Sequence, residues 1–238
     1  MAGGFDFSLD GDFTRFSSAR EIDCTAAKAS GKYENCAPNA DRTVGIAQLS
    51  RPFTSPFGYL TPKVQLHSRS YQFDGGLPNV GFYGDEQGRG TASVTVPTFS
   101  LDTGMAFERP YRLFDRTWIQ TLEPRLFYVR TPYRDQSFLP VYDSGDTDFN
   151  LSTIYSENAY VGHDRLIDND ALTLGVTSRF FDAANGAEML RVGMAQRIRF
   201  SDQQVVLPGQ TAAKTGLSDM LLGAGVRWDD RWALDATV

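Results

Sequence analysis

The run Glu188-Met189-Leu190-Arg191-Val192-Gly193-Met194-Ala195-Gln196-Arg197-Ile198-Arg199-Phe200 decides the fold. Leu190, Val192, Met194, Ile198 and Phe200 fall on one side of a period-two alternation, and Arg191, Arg197 and Arg199 on the other. Successive side chains of a strand point to opposite faces, whereas a helix would scatter these residues around its axis. A ribbon that is oily on one face and cationic on the other must meet two different surroundings.

The same split recurs on either side of this run. Leu172, Leu174, Val176 and Phe180 oppose Thr173, Thr177 and Arg179, and Met220, Leu222, Ala224, Val226 and Trp228 share a face. Towards the front, Phe5, Phe7, Leu9 and Phe13 alternate with Asp6, Ser8, Asp10 and Asp12, while Leu60, Val64 and Leu66 oppose Lys63, Gln65, His67 and Arg69. Almost no segment carries an i, i+3, i+4, i+7 stripe, so the chain reads as all-β. About nine strands are expected, near 3–16, 42–53, 58–73, 92–107, 117–131, 169–182, 187–201, 217–229 and 231–238, several of them long enough to cross a bilayer at a tilt. In the strand around Pro97 the apolar parity changes, from Val94 and Val96 to Phe99, Leu101, Met105 and Phe107, which predicts a bulge there; Pro52 is expected to interrupt its own strand.

Composition narrows the class. The 238 residues are 41% hydrophobic and 22% charged, too apolar for a disordered chain, and no apolar run approaches the ~20 residues of a spanning helix. A net charge of −6 lacks the Lys and Arg surplus that phosphate-backbone binding needs, so no nucleic-acid partner is expected. What remains is a soluble β protein or a transmembrane β-barrel. Long connections (17–41, 74–91, 132–168 and 202–216) alternate with short ones, as in outer-membrane barrels, whose extracellular loops are long and periplasmic turns short. Trp118, Tyr128, Phe180, Phe200, Trp228 and Trp232 sit near strand ends on the oily face, where interfacial girdles lie. The first residues, Met1-Ala2-Gly3-Gly4, lead directly into alternation without a secretory leader, so the chain is read as either cytosolic or a piece of something larger.

One block goes beyond pattern. Gln120-Thr121-Leu122-Glu123-Pro124-Arg125, continuing through Tyr133-Arg134-Asp135-Gln136-Ser137 and Tyr142-Asp143-Ser144, resembles the LPS-assembly (LptD, organic solvent tolerance) family, as does Gly162-His163-Asp164-Arg165-Leu166 followed by Thr173 to Arg179. Weaker similarity runs through Asp10 to Phe16, Leu60 to Lys63, Met105 to Arg109, and Arg227-Trp228 with Arg231-Trp232. The resemblance implies an internal part of a transmembrane barrel in the Gram-negative outer membrane. That barrel, with an LptE-like lipoprotein plug, receives lipopolysaccharide from a periplasmic bridge and inserts it into the outer leaflet. The bridge would engage the family's N-terminal domain, which this sequence does not show, and the family's later strands and adjacent cysteine pair are not seen either. The alternatives from other classes are a general diffusion porin and a soluble β-sandwich adhesion module.

The candidate chemistry follows from the polar face. Arg125, Arg179, Arg69 and Lys63, with Glu123, Asp10, Asp12 and Asp219, are expected to point into the lumen, because an Arg or Lys facing lipid near the midplane costs about 2–4 kcal/mol. Arg191, Arg197 and Arg199 are the candidates for contact with lipopolysaccharide phosphates, since the guanidinium fork matches phosphate oxygens. Tyr133, Arg134 and Asp135 are the candidates for contact with a plug or with the lumen closure. Cys24 and Cys36 are read either as a local disulfide, contributing about 3 kcal/mol by loop-closure entropy, or as two free thiols. They do not match the family's interdomain cysteines. No His and Cys set stands at metal-ligand spacing, no phosphate-loop motif exists, and any triad would have to use His67 or His163, so no cofactor and no catalysis are expected.

Overall fold

A computed structural model describes residues 4–17, 38–74, 90–113, 116–218, 220–228 and 231–238. Cys24 and Cys36, and most of the expected connections 17–41 and 74–91, lie outside these residues. The strands are β1 (Asp6–Phe16), β2 (Ala40–Ser50), β3 (Phe53–Ser55), β4 (Gly58–Phe73), β5 (Thr91–Met105), β6 (Phe107–Leu113) and β7 (Arg116–Thr131). They are followed by the short pair β8 (Gly145–Asp146) and β9 (Tyr160–Val161), then β10 (Asn169–Asp182), β11 (Glu188–Arg199), β12 (Gly216–Leu217), β13 (Leu221–Arg227) and β14 (Ala233–Thr237). The long strands form one antiparallel meander in the order β1-β2-β4-β5-β7-β10-β11-β13-β14. The strands lie where the alternation puts them, because period two sets both the strand and its register once one face has a single environment.

Two details of register differ from expectation. The β4–β5 ladder runs without a shift from Gly58↔Met105 to Gln72↔Thr91, so Pro97 causes no bulge. Its missing N–H is tolerated because the β5–β7 ladder begins only at Phe99, leaving Pro97 beyond the end of β7, where no ladder bond is lost. The apolar parity changes there although the backbone does not. Ala92 and Val96 are buried on the inner face, and Phe99 and Met105 are exposed on the outer one. The register shift lies instead in β10–β11, between Phe180 and Phe181. Pro52 does interrupt its strand as expected: β2 stops at Ser50 and β3 resumes at Phe53, both along β4. β6 continues the β5–β7 pairing, from Gly104↔Arg125 to Phe107↔Leu122, with the Ala106 N–H turned aside to the carbonyl of Phe57 at 2.9 Å.

The sheet's two faces are unlike. On the outer face, large apolar side chains stand open even on central strands: Leu66 is 48% exposed and Leu174 45%. Phe7, Leu9, Leu60, Val64, Phe99, Leu122, Val192, Met194 and Leu222 extend this surface across the meander. An apolar surface of that extent needs an apolar cover. Towards the long connections the inner face is covered by the chain itself. The segment 132–168 lies on it, and the hydrophobic clusters form between the two. Leu139 packs with Ala40, Tyr71, Phe73 and Ala92; Ile154 packs with Ala195 and Leu221; Tyr155 joins Phe127, Val129 and Ala171.

Candidate functional site

Towards the short turns, the inner face carries paired charges. Arg125 donates to both carboxylate oxygens of Asp102 at 3.0 and 2.7 Å, and Arg179 lies 3.4 Å from Glu123 and 3.5 Å from Glu188; Lys63 instead reaches Glu157 of the inward segment at 2.8 Å. Such half-exposed pairs make a hydrated polar wall and contribute little stability individually.

Towards the long connections, the inner face becomes a buried latch. The Asp164 carboxylate accepts four hydrogen bonds: from Arg42 Nη1 and the Tyr71 hydroxyl on Oδ1, each at 2.7 Å, and from the amides of Tyr142 and Asp143 on Oδ2, at 2.6 and 2.7 Å. Arg42 also donates to Asp143 at 2.7 Å, lies 3.5 Å from Asp12, and rests over the Phe16 ring, which stacks on Tyr142. Both ions of the Arg42–Asp164 pair are fully buried. A pair in that condition tolerates no loss of one partner, which typically costs about 3–5 kcal/mol. Burial works against ionisation of Asp143, yet hydrogen bonds from Arg42 and the His163 amide hold its carboxyl well below the usual carboxylate range. Burial likewise pushes the Tyr142 phenol well above its ordinary value, and that of Tyr160 up to about 12.

Gln136 makes the second fastening. It accepts from Arg69 of the wall, donates to the Leu166 carbonyl at 2.8 Å and accepts from the Leu166 amide at 3.1 Å. Arg165 turns back to the carbonyls of Leu139, Pro140 and Asp164, which ties the segment to itself. Two glycines permit the fit. Gly162 has φ +74°, and a Cβ there would stand 2.3 Å from the Asp143 carbonyl oxygen; a Cβ on Gly175 of β10 would stand 1.8 Å from the Tyr155 hydroxyl. Gly175 is a socket for a ring of the inward segment.

The residues singled out in the sequence separate. Tyr133, Arg134 and Asp135 lie on the exposed side of the segment, where Asp135 accepts from the Ser137 amide and hydroxyl. The adjacent Gln136 faces the wall. Arg197 and Arg199 are buried beneath the segment: Arg197 donates to the Ile154 carbonyl and to Thr173 Oγ1, and Arg199 to Asn169 Oδ1 at 3.1 Å. Arg191 stands apart near the short turns, half-exposed and paired with Asp235 at 3.0 Å. Asp164, Arg42, Tyr71 and Gln136 were not singled out. Gln136 and Asp164 fall in the blocks Tyr133 to Ser137 and Gly162 to Leu166 that carry the family resemblance, while nothing in the sequence marked Arg42 or Tyr71. His67 and His163 meet edge to face at 5.7 Å, but all four hydrogen bonds on Asp164 serve the latch.

Comparison with known proteins agrees with this architecture. The family described as LptD, LPS transport system D, matches residues 1–238. A relative from Polaromonas sp. (strain JS666 / ATCC BAA-500), named LPS-assembly protein LptD, is 53% identical over all of this chain and 26% of its own length. Like-named relatives from Acidovorax sp. (strain JS42) and Burkholderia thailandensis are 51% and 41% identical, over 100% and 94% of this chain and 27% and 26% of their own lengths. The chain thus spans about a quarter of the curated relatives it matches. The match over every residue, together with an antiparallel meander that carries a broad exposed apolar band on its outer face, means that the chain belongs to the LptD family and forms a segment of its transmembrane β-barrel wall.

Proposed function

We propose that this chain is part of the wall of an outer-membrane translocon that delivers lipopolysaccharide to the outer leaflet, and that segment 132–168 is its built-in closure on the extracellular side. The wall is a conduit and not a catalyst. The observation that carries the reading is the contrast between the two halves of the inner face: partly exposed paired charges near the short turns, and a dry latch around Asp164 near the long connections. A hydrated lower lumen suits a cargo with phosphates and sugars, and a fastened upper lumen suits a barrel that must not leak. An LptE-like lipoprotein plug and a periplasmic bridge are the partners this reading calls for, with the exposed Tyr133, Arg134 and Asp135 free to meet the plug.

The test uses the intact barrel protein that carries this chain. A photoreactive residue at Thr121, on the inner face, is expected to capture lipopolysaccharide during transport, and one at Leu174, on the outer face, to capture membrane lipid. Equal capture of lipopolysaccharide at both positions, or none at Thr121, overturns the conduit. Steady ion conductance of the intact protein in planar bilayers, with the latch unbroken, would favour a diffusion porin instead.

A further inference from the structure

A cavity of about 660 Å³ lies between three parts of the chain: the stretch around Asp146, Phe149 and Tyr160, the connection leading to β12, and the far end of β11. Arg197 and Arg199 form its floor and Lys214 stands at its rim. The two arginines are 6% and 9% exposed, and neither is in ion-pair contact among the described residues; the buried Asp168 carboxylate attracts Arg199 from a distance but is itself taken up by the amides of Gln204 and Val205. Their described bonds use Nε and Nη2 of Arg197 and Nη1 of Arg199, all with neutral acceptors. Nη1 of Arg197, and Nε and Nη2 of Arg199, are left without a described protein acceptor. A buried cation with no carboxylate in contact is costly, and a site that keeps two such guanidinium groups side by side is arranged for an anion. Lys214 is held by Asp202, and Asp146 is the lining's one carboxylate against three cations.

The rest of the lining selects the anion's size and kind. The volume falls in the range of ligand sites and far exceeds a lone phosphate. Thr147, Gln210 and Thr211 offer hydroxyl and amide groups, and the Phe149 ring, 5.9 Å from the Arg197 guanidinium, offers a flat apolar face. Forked guanidinium donors suit a phosphate or carboxylate, while hydroxyls, amides and one aromatic face suit sugar rings. We propose that this cavity is a binding site for an anionic saccharide, its phosphate or carboxylate held by Arg197 and Arg199 and its rings by the rim. Identifying that saccharide with the sugar region of lipopolysaccharide leaving the barrel rests on the transport reading above; a saccharide from the medium would offer the same chemistry.

The intact barrel protein in detergent, titrated calorimetrically with deacylated lipopolysaccharide oligosaccharide, is expected to show saturable binding. Dephosphorylated oligosaccharide should bind more weakly, and inorganic phosphate should compete only in large excess. Arg197→Gln also removes the bond to Ile154 and can loosen the segment, so Arg199→Gln, with heat-modifiable migration confirming the folded barrel, is the deciding variant. A loss of tenfold or more is expected for Arg199→Gln and about threefold for Lys214→Gln. No saturable binding, or binding unchanged in Arg199→Gln, overturns the site. Photoreactive residues at Thr211 and Thr121 separate the two readings. Capture of lipopolysaccharide at Thr121 with none at Thr211 removes the pocket from the route. Silence at Thr121 with Arg199-dependent titration removes the conduit and leaves a site for an external saccharide.

Discussion

The two ends of β4 are chemically inverted. From Leu60 to Leu66 the large apolar side chains point outward and stand exposed, whereas from His67 to Phe73 the outward positions are Ser68, Ser70 and Gln72, and Tyr71 and Phe73 are buried inward. β5 repeats the inversion across Pro97. The backbone alternates without a break in both strands, so the change lies in what covers each face. Near the short turns the outer face is apolar and bare and the inner face carries paired charges; near the long connections the outer face is polar and the inner face packs against segment 132–168. Hydrophobic patterning records the neighbour and not the side of the sheet.

Removing the latch is the strongest way to break this comparison. Asp164→Ala leaves Arg42 buried with a weakened set of partners, and about 3–5 kcal/mol should be lost from docking of the segment. Limited proteolysis or hydrogen exchange of the intact barrel in detergent should show 132–168 released while the strands stay protected. Protection unchanged in the segment would mean that Asp164 does not hold it.

A matched pair of substitutions tests the inversion on a single strand. Val64→Lys places a cation in the outward apolar band and should cost about 2–4 kcal/mol in lipid vesicles, while Ser70→Lys, outward on the same strand, should cost about 0–1. Urea unfolding from vesicles measures both, and equal costs would mean that one medium covers the whole outer face. A smaller effect, about 1–3 kcal/mol by overpacking, is expected for Gly175→Val, which fills the socket of the Tyr155 ring. Adding Tyr155→Ala should recover part of it, as seen in the thermal stability of the double variant.

The mildest perturbation is acid. The Asp143 carboxyl is held below its unfolded value, so its contribution is complete above the ordinary Asp pKa, about 4, and fades as pH falls further. Protease sensitivity of the segment should therefore rise on acidification below about pH 4 and stay flat between pH 6 and 8. A transition near neutrality would point to a histidine instead.

Much of the fold was legible because period-two alternation is local. Glu188 to Phe200 shows its two faces without help from any other part of the chain, and the expected strands match the observed ones closely. The bulge at Pro97 was misplaced for the same reason. A parity change reads as a slipped register only when each face is assumed to keep one medium, and here the medium changes along the strand. The site was harder to see. Tyr133, Arg134 and Asp135 stood out in the sequence through the resemblance alone, and nothing local distinguishes them from Gln136, which turns to Arg69.

The amino-acid order by itself determined that this chain forms long antiparallel strands with one apolar and one polar face, since side-chain alternation, strand length and loop spacing are set within a few residues. Only the tertiary structure decided which charges are wall and which are latch. Arg42 and Asp164 are 122 residues apart, and their burial follows from a segment folding back onto strands far from it in sequence. Desolvation depends on every neighbour in space, and no window of sequence contains them all.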